Sequence, residues 1–462
     1  MILSRYLEKG DYGTYKQVIY VYNTLLTVFT LGLPRAYSYF LPRIPTNQAR
    51  NLIRKITRIF FILGSVFSLF LFVFSAQIAV FLNNPDLDEA LKLFAIVPFL
   101  MLPTMGLEGV LATYKKTQFM ALYTIVTRVI KLLFVAVPVL FCSCGYKEAI
   151  IGFVLSDVIA FALGLYLMDL PVRKAGNETC DITIKDIFHF SLPLLYASIF
   201  GMITASADQF FVSRYYGNEV FAEFSNGSIN LPFVGMIMSA CSVVLSPIFS
   251  RMSHEHVDPH SEIFPLWKSV FERTAKIVYP LVVYCLVFAD VVMVVLYGGK
   301  YAGSTFYFRM KLIDNFFRII AYAPLLINIG RVKYYSNVQM YGAAVLVLLE
   351  FLCVKIFDSA YSISVVSMLC CLGRVFAYLI VVANIFNVKI SQLFPIQTFV
   401  KILIPSSLIL LLERWIIIDT IGIDDNTLII FIVSFILYMV LFALLSIPLK
   451  LNYVKLLKSL KK

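Results

Sequence analysis

The stretch ITRIFFILGSVFSLFLFVFSAQIAVFL, residues 56–82, carries a single charge, Arg58, close to its start. A helix needs roughly 20 apolar residues to cross the hydrocarbon core of a bilayer. A barrel strand needs about half that length and alternates in polarity, which this stretch does not. It therefore reads as a transmembrane helix. Working outward, similar apolar runs lie at about 17–40, 91–113, 118–141, 149–169, 188–213, 226–249, 274–297, 304–329, 335–356, 361–385, 395–418 and 427–449, which with 56–82 makes thirteen predicted spans. Hydrophobic residues make up 60% of the 462 positions and charged residues 14%, with a mean hydropathy of +0.86. A soluble domain carries about 25% charge, so a soluble enzyme is excluded and no large soluble domain fits between the spans. The predicted fold class is an all-α polytopic membrane protein.

Orientation follows from Lys and Arg in the short loops, which collect on the cytoplasmic side. With span 17–40 running inward, the inner segments hold 23 basic residues, among them Arg50, Arg54, Lys55, Arg58, Lys174 and the tail from Lys450 to Lys462, and the outer segments hold 9. The acidic clusters Asp86, Asp88, Glu89 and Asp419, Asp424, Asp425 fall outside. Most of the formal net charge of +12 thus lies along one membrane face. Anionic lipid accounts for that placement, so membrane lipids are the expected partner and nucleic acid is not.

A short internal repeat adds to this picture. Ser4-Arg5-Tyr6 recurs as Ser213-Arg214-Tyr215, and at the same offset Tyr12 and Tyr15 meet Phe221 and Phe224. Both copies sit at an outer helix end leading into the next span. The offset places an even number of spans between them, which predicts two parallel lobes related by an axis along the membrane normal. Span 188–213 precedes the second copy, and its mate would have to precede Met1. The expectation is therefore a protein of fourteen spans, in groups of six, six and two, whose first helix is missing from this chain. The predicted divisions are 1–170 for the N-terminal lobe, 185–390 for the C-terminal lobe, and 391–462 for an additional helix pair with a basic tail.

Three segments carry a family resemblance: Ser4-Arg5-Tyr6-Leu7 with Asp11-Tyr12-Gly13-Thr14-Tyr15; Gly32-Leu33-Pro34-Arg35-Ala36 through Tyr39-Phe40-Leu41-Pro42; and Ala207-Asp208-Gln209-Phe210-Phe211-Val212-Ser213-Arg214-Tyr215-Tyr216-Gly217. Together with the span pattern, they resemble the bacterial O-antigen and capsule repeat-unit flippases of the multidrug/oligosaccharidyl-lipid/polysaccharide exporter superfamily. The resemblance implies two six-helix lobes around a central cavity that opens alternately to either side of the bacterial cytoplasmic (inner) membrane. It implies a polyprenyl-diphosphate-linked oligosaccharide as substrate, with glycosyltransferases and a polysaccharide polymerase as functional partners.

Charges inside spans are costly and mark candidate sites. Arg128 and Lys131 lie three apart near the middle of span 118–141 and share a helix face. Either they face a wet cavity and meet a diphosphate, Arg by forked hydrogen bonds and Lys as a point charge, or they bridge to an acid on a neighbouring helix. Span 304–329 carries Arg309, Lys311, Asp314 and Arg318, and Lys311, Asp314 and Arg318 fall on one face with a net positive charge. Arg374 is central in span 361–385, whereas Arg35 is near enough to an end to snorkel to the headgroups. Asp157, Glu350 and Asp314 are the candidates for binding a coupling ion. Asp208 and Asp290 sit near outer ends, where interfacial solvation accounts for them.

No cofactor or metal is expected. The cysteines show no metal spacing, and Cys142 and Cys144 are too close in sequence for a favourable disulfide. His254, His256 and His260 fall in a hydrated inner loop. No Walker motif is present, and no acid pair or nucleophile motif suggests an enzyme. A cation-coupled multidrug exporter is the alternative within the superfamily; its cavity would be acidic or aromatic, against seven basic residues within spans here. A membrane-embedded polysaccharide polymerase or glycosyltransferase would need larger outer loops. An inactive remnant is favoured by the missing helix alone.

Overall fold

The computed structural model describes residues 1–142, 145–173, 176, 178–255, 257–421, 427–449, 451 and 453. Cys144, Lys174, His256, Asp424, Asp425 and the tail lysines Lys450, Lys455, Lys458, Lys461 and Lys462 lie outside them, as do the side chains of Cys142 and Asp419. The described residues form helices and short connections, with no strand among them. The chain folds as two compact units, Met1–Ala222 and Glu223–Lys462.

The first unit contains α1 (Ile2–Tyr6), α2 (Lys9–Phe29), α3 (Pro34–Phe40), α4 (Thr46–Phe81), α5 (Asp86–Phe94), α6 (Val97–Met101), α7 (Leu107–Thr113), α8 (Thr117–Cys142), α9 (Tyr146–Asp169) and most of α10 (Ile184–Gly227). Its core is aromatic: Phe29 stacks on Phe67 at 4.3 Å, and Tyr22 lies between Phe67 and Phe94. The unit runs past the expected 170–185 division because α10 is fastened to α2. Gln17 Nε2 donates to Ser213 Oγ at 2.8 Å, Tyr20 Oη donates to the Ser206 carbonyl at 3.2 Å, and Gly13 packs directly on the Asn218 carbonyl, leaving no space for a Cβ. The amide of Asn84 donates to Thr14 and Gln17, so Thr14, Gln17, Asn84 and Ser213 form one buried polar network.

The second unit contains α11 (Pro232–His254), α12 (Phe264–Val287), α13 (Ala289–Tyr297), α14 (Ser304–Arg318), α15 (Tyr322–Asn328), α16 (Val332–Ile356), α17 (Ala360–Phe386), α18 (Ile390–Leu393), α19 (Ile396–Ile421) and α20 (Thr427–Ser446). The fully buried Trp267 on α12 anchors it, its indole N–H donating to the Ala321 carbonyl at 3.2 Å.

Every predicted span is occupied by helix. Among the described residues eight helices are long and apolar enough to cross a membrane, and up to ten if two bent pairs are each counted as one span. The predicted spans outside these ten are 17–40, 304–329 and 395–418. The first is broken where Leu31 and Gly32 adopt φ of 48° and 71° ahead of Pro34, a turn that ends one helix and starts the next. The second is divided between α14 and α15, and α14 holds all four of its charges. The third corresponds to α19, which carries Lys401, Glu413 and Arg414. The two repeat copies share a local pattern. After Ser4-Arg5-Tyr6 the helix stops at Leu7 and restarts at Lys9; after Ser213-Arg214-Tyr215 it breaks at Gly217, with φ 83° and ψ 174°.

Candidate substrate-binding site

In the first unit, α8 and α9 pack side by side. Lys131 turns toward α9, placing its ammonium 2.7 Å from Asp157 Oδ1 and 3.6 Å from the centre of the Phe153 ring. Asp157 is only 1% exposed, so the lysine is its counter-charge. Arg128, one turn earlier on α8, stays exposed and makes no ion pair among the described residues. The two cations thus share a helix but differ in chemistry: one is neutralised, the other is available.

In the second unit the structure brings together charges from two predicted spans. On α14, Lys311 reaches Asp314 Oδ2 at 3.2 Å, and Arg318 donates to Asn230 Oδ1 at 2.6 Å. From α17, Arg374 lays its aliphatic part against Gly342 of α16, and its Nη1 is buried without a hydrogen-bond partner among the described residues. Lys311, Asp314 and Arg374 are all within electrostatic reach of the Cys371 thiol, and Arg374 and Arg318 of the Tyr322 hydroxyl. Three cations and one acid leave this cluster with net positive charge. Arg309, two positions before Lys311, points to another side of α14 and joins none of these contacts.

Sequence reasoning did not anticipate the aromatic wall of this cluster. Tyr322 and Tyr335 both stack on Tyr378, with ring centres at 4.7 and 5.4 Å. The three tyrosines come from α15, α16 and α17, and no sequence spacing links them. A groove of about 500 Å³ runs between α16 and α17, with Arg374 its charged wall and Gly342, Val345, Leu349 and Leu369 among its apolar ones. A guanidinium beside an apolar groove and tyrosine faces can take an oxyanion by forked hydrogen bonds.

The ion-coupling candidates are dispersed. Asp157 is held by Lys131, Asp314 is held through Oδ2 by Lys311, and Glu350 is fully buried on α16. A further acid, Glu413 on α19, is 4% exposed and was not among the candidates. His260 is fixed by the Phe386 carbonyl at 2.9 Å. No group of three potential metal ligands converges among the described residues.

A family model described as polysaccharide biosynthesis protein matches residues 2–305 of the chain. The chain belongs to this family. Comparison with curated proteins gives no match. Among solved structures, this polysaccharide biosynthesis protein is similar to the lipid II flippase MurJ in an inward closed conformation, with 14% identity, 96% of this chain and 94% of that one covered, and a TM-score of 0.73. It is also similar to an inward-facing multidrug resistance MATE family transporter of the MOP superfamily, with 10% identity, 84% and 96% coverage, and a TM-score of 0.62. A third likeness is to the Vibrio cholerae MATE transporter VcmN in its bent form, with 13% identity, 83% and 89% coverage, and a TM-score of 0.52. These likenesses are of fold: the family member is a multi-pass helical membrane protein with the architecture of flippases and transporters.

Proposed function

We propose that this protein moves a polyprenyl-diphosphate-linked oligosaccharide across the bacterial cytoplasmic membrane by alternating access, supplying repeat units for a surface polysaccharide. Glycosyltransferases would build its substrate and a polymerase would consume its product. The family description and the flippase-like fold support the reading. The observation that carries it is the net-positive cluster of Lys311, Arg318 and Arg374, in which Arg374 bonds the Cys371 thiol while its Nη1 is buried with no hydrogen-bond partner among the described residues. Buried donors are ordinarily satisfied, and a diphosphate supplies acceptor oxygens in the fork geometry that Arg prefers. In the first unit, exposed Arg128 is a separate candidate for contact with a diphosphate.

The test is reconstitution in proteoliposomes loaded with a polyprenyl-diphosphate-linked oligosaccharide, scored by a membrane-impermeant lectin. The protein should raise the appearance of sugar on the far face above that in empty vesicles, and Arg374→Ala should lower it. Equal rates with and without protein, or export of cationic dyes in its place, would overturn the reading.

A further inference from the structure

Leu412-Glu413-Arg414-Trp415 carries two adjacent opposite charges near the end of α19. On a helix, successive residues diverge by about 100°, and the structure separates these two. Arg414 forks onto the Asp290 carboxylate at 2.7 and 2.6 Å and donates also to the Val287 carbonyl at 2.7 Å. Glu413 turns the other way, 4% exposed, and both of its carboxyl oxygens are buried with no hydrogen-bond partner among the described residues.

Among the described residues its surroundings hold no charged donor. Helix α19 packs against α12 and α20. All of α20 is free of charged residues, as is α12 beyond Lys276. Facing Glu413 from these helices, Tyr284 on α12 and Tyr438 on α20 are the ionisable groups within reach of its charge. Cys285 adjoins Tyr284, and from α13 the one acid, Asp290, is already occupied by Arg414. Both tyrosine hydroxyls have spent their protons on backbone carbonyls: Tyr284 donates to Phe431 O at 2.9 Å and Tyr438 to Pro280 O at 3.1 Å. Tyr284 Oη also shares a hydrogen bond with Ser434 Oγ at 2.9 Å, so these hydroxyls are engaged with each other's neighbours and not with Glu413. Ser406, seven residues before Glu413 and therefore on the same face of α19, is fully buried there too, as is Ser434 opposite. A bare carboxylate buried without a partner is strongly disfavoured. A small cation that neutralises the carboxylate removes that cost.

We propose that Glu413 is a binding site for a small monovalent cation, a proton or a sodium ion, within the α12–α19–α20 pack. The site is independent of the transported cargo, and its test does not involve transport. Dicyclohexylcarbodiimide attacks protonated carboxyls in apolar surroundings, and peptide mass mapping locates the adduct. On the purified full chain, Glu413 should be modified at mildly acidic pH. Above its titration midpoint, labelling should fall about tenfold for each further pH unit, as for one titrating proton. At fixed pH, protection by sodium but not by potassium at equal ionic strength assigns sodium; equal labelling in both salts assigns the proton. Either result supports a cation site. As a second measurement, Glu413→Gln, neutral and of the same size, should abolish a pH or sodium dependence of the melting temperature that the wild type shows. The proposal is overturned if Glu413 stays unmodified, or is modified equally at all pH values, while wild type and Glu413→Gln respond identically to pH and sodium.

Discussion

Lys131 and Asp157 meet at 2.7 Å between α8 and α9, the acid at 1% exposure and the lysine side chain at 30%. Removing one member of such a pair leaves a buried charge alone, which costs about 3–5 kcal/mol, whereas replacing both by apolar groups of similar volume is often neutral. Lys131→Met or Asp157→Leu should therefore lower the melting temperature of the purified protein sharply, and the double variant should recover most of the loss. A Lys131→Met protein of unchanged stability that no longer transports would instead assign this lysine to the substrate.

Arg128 should behave differently. Its side chain is exposed and unpaired among the described residues, so Arg128→Ala should insert and fold as the wild type does. If it contacts the diphosphate, losing a charge-assisted hydrogen bond costs about 1.5–3 kcal/mol, roughly ten- to a hundred-fold in affinity. Arg128→Lys should keep part of the activity, because charge remains and the fork is lost. Wild-type flux from the Ala variant would remove Arg128 from the site.

The place of Arg374 can be tested without altering its charge. A Cβ on Gly342 would collide with the Arg374 side chain, which is flexible enough to move aside. Gly342→Ala should leave the fold intact and displace the guanidinium, lowering transport about as far as Arg374→Ala does. Unchanged transport in Gly342→Ala with loss in Arg374→Ala would show that only the charge matters.

At Gly217 the backbone adopts φ 83° and ψ 174°, a region essentially reserved for glycine and costing other residues about 1–3 kcal/mol. Gly217→Ala should lower thermal stability by that order even though open space surrounds the position. No change in melting temperature would mean that the helix break tolerates a different backbone conformation.

Helix positions were legible in the sequence because apolar runs of about 20 residues have few alternatives in a bilayer. The roles of single charges were not. An i, i+3 spacing places Arg128 and Lys131 on one face, yet the lysine's long stem reaches across to Asp157 while the arginine stays outside, a difference set by α9 and invisible in α8 alone. Lys311 and Arg318 were legible as one face of a helix and Arg374 as a separate charge; what joins them is the packing of α14 against α17. Glu413 lies near the end of its predicted span, and its burial is set by α12 and α20, which the sequence of α19 does not show. The tyrosines of the second unit lie on three helices and carry no local signature.

The buried network of Thr14, Gln17, Asn84 and Ser213 has a consequence for biosynthesis. Asn84 lies 67 residues after Gln17, and Ser213 lies 196 residues after it. At roughly 5–20 residues per second of synthesis, Gln17 on α2 waits about 10–40 s between its own emergence and the arrival of Ser213. During that interval the Gln17 amide must be hydrated, shielded by the insertion machinery or bonded elsewhere, since lipid offers it nothing. The first unit is therefore completed late, by α10, and its earliest long helix is the one that spends the longest time unfinished.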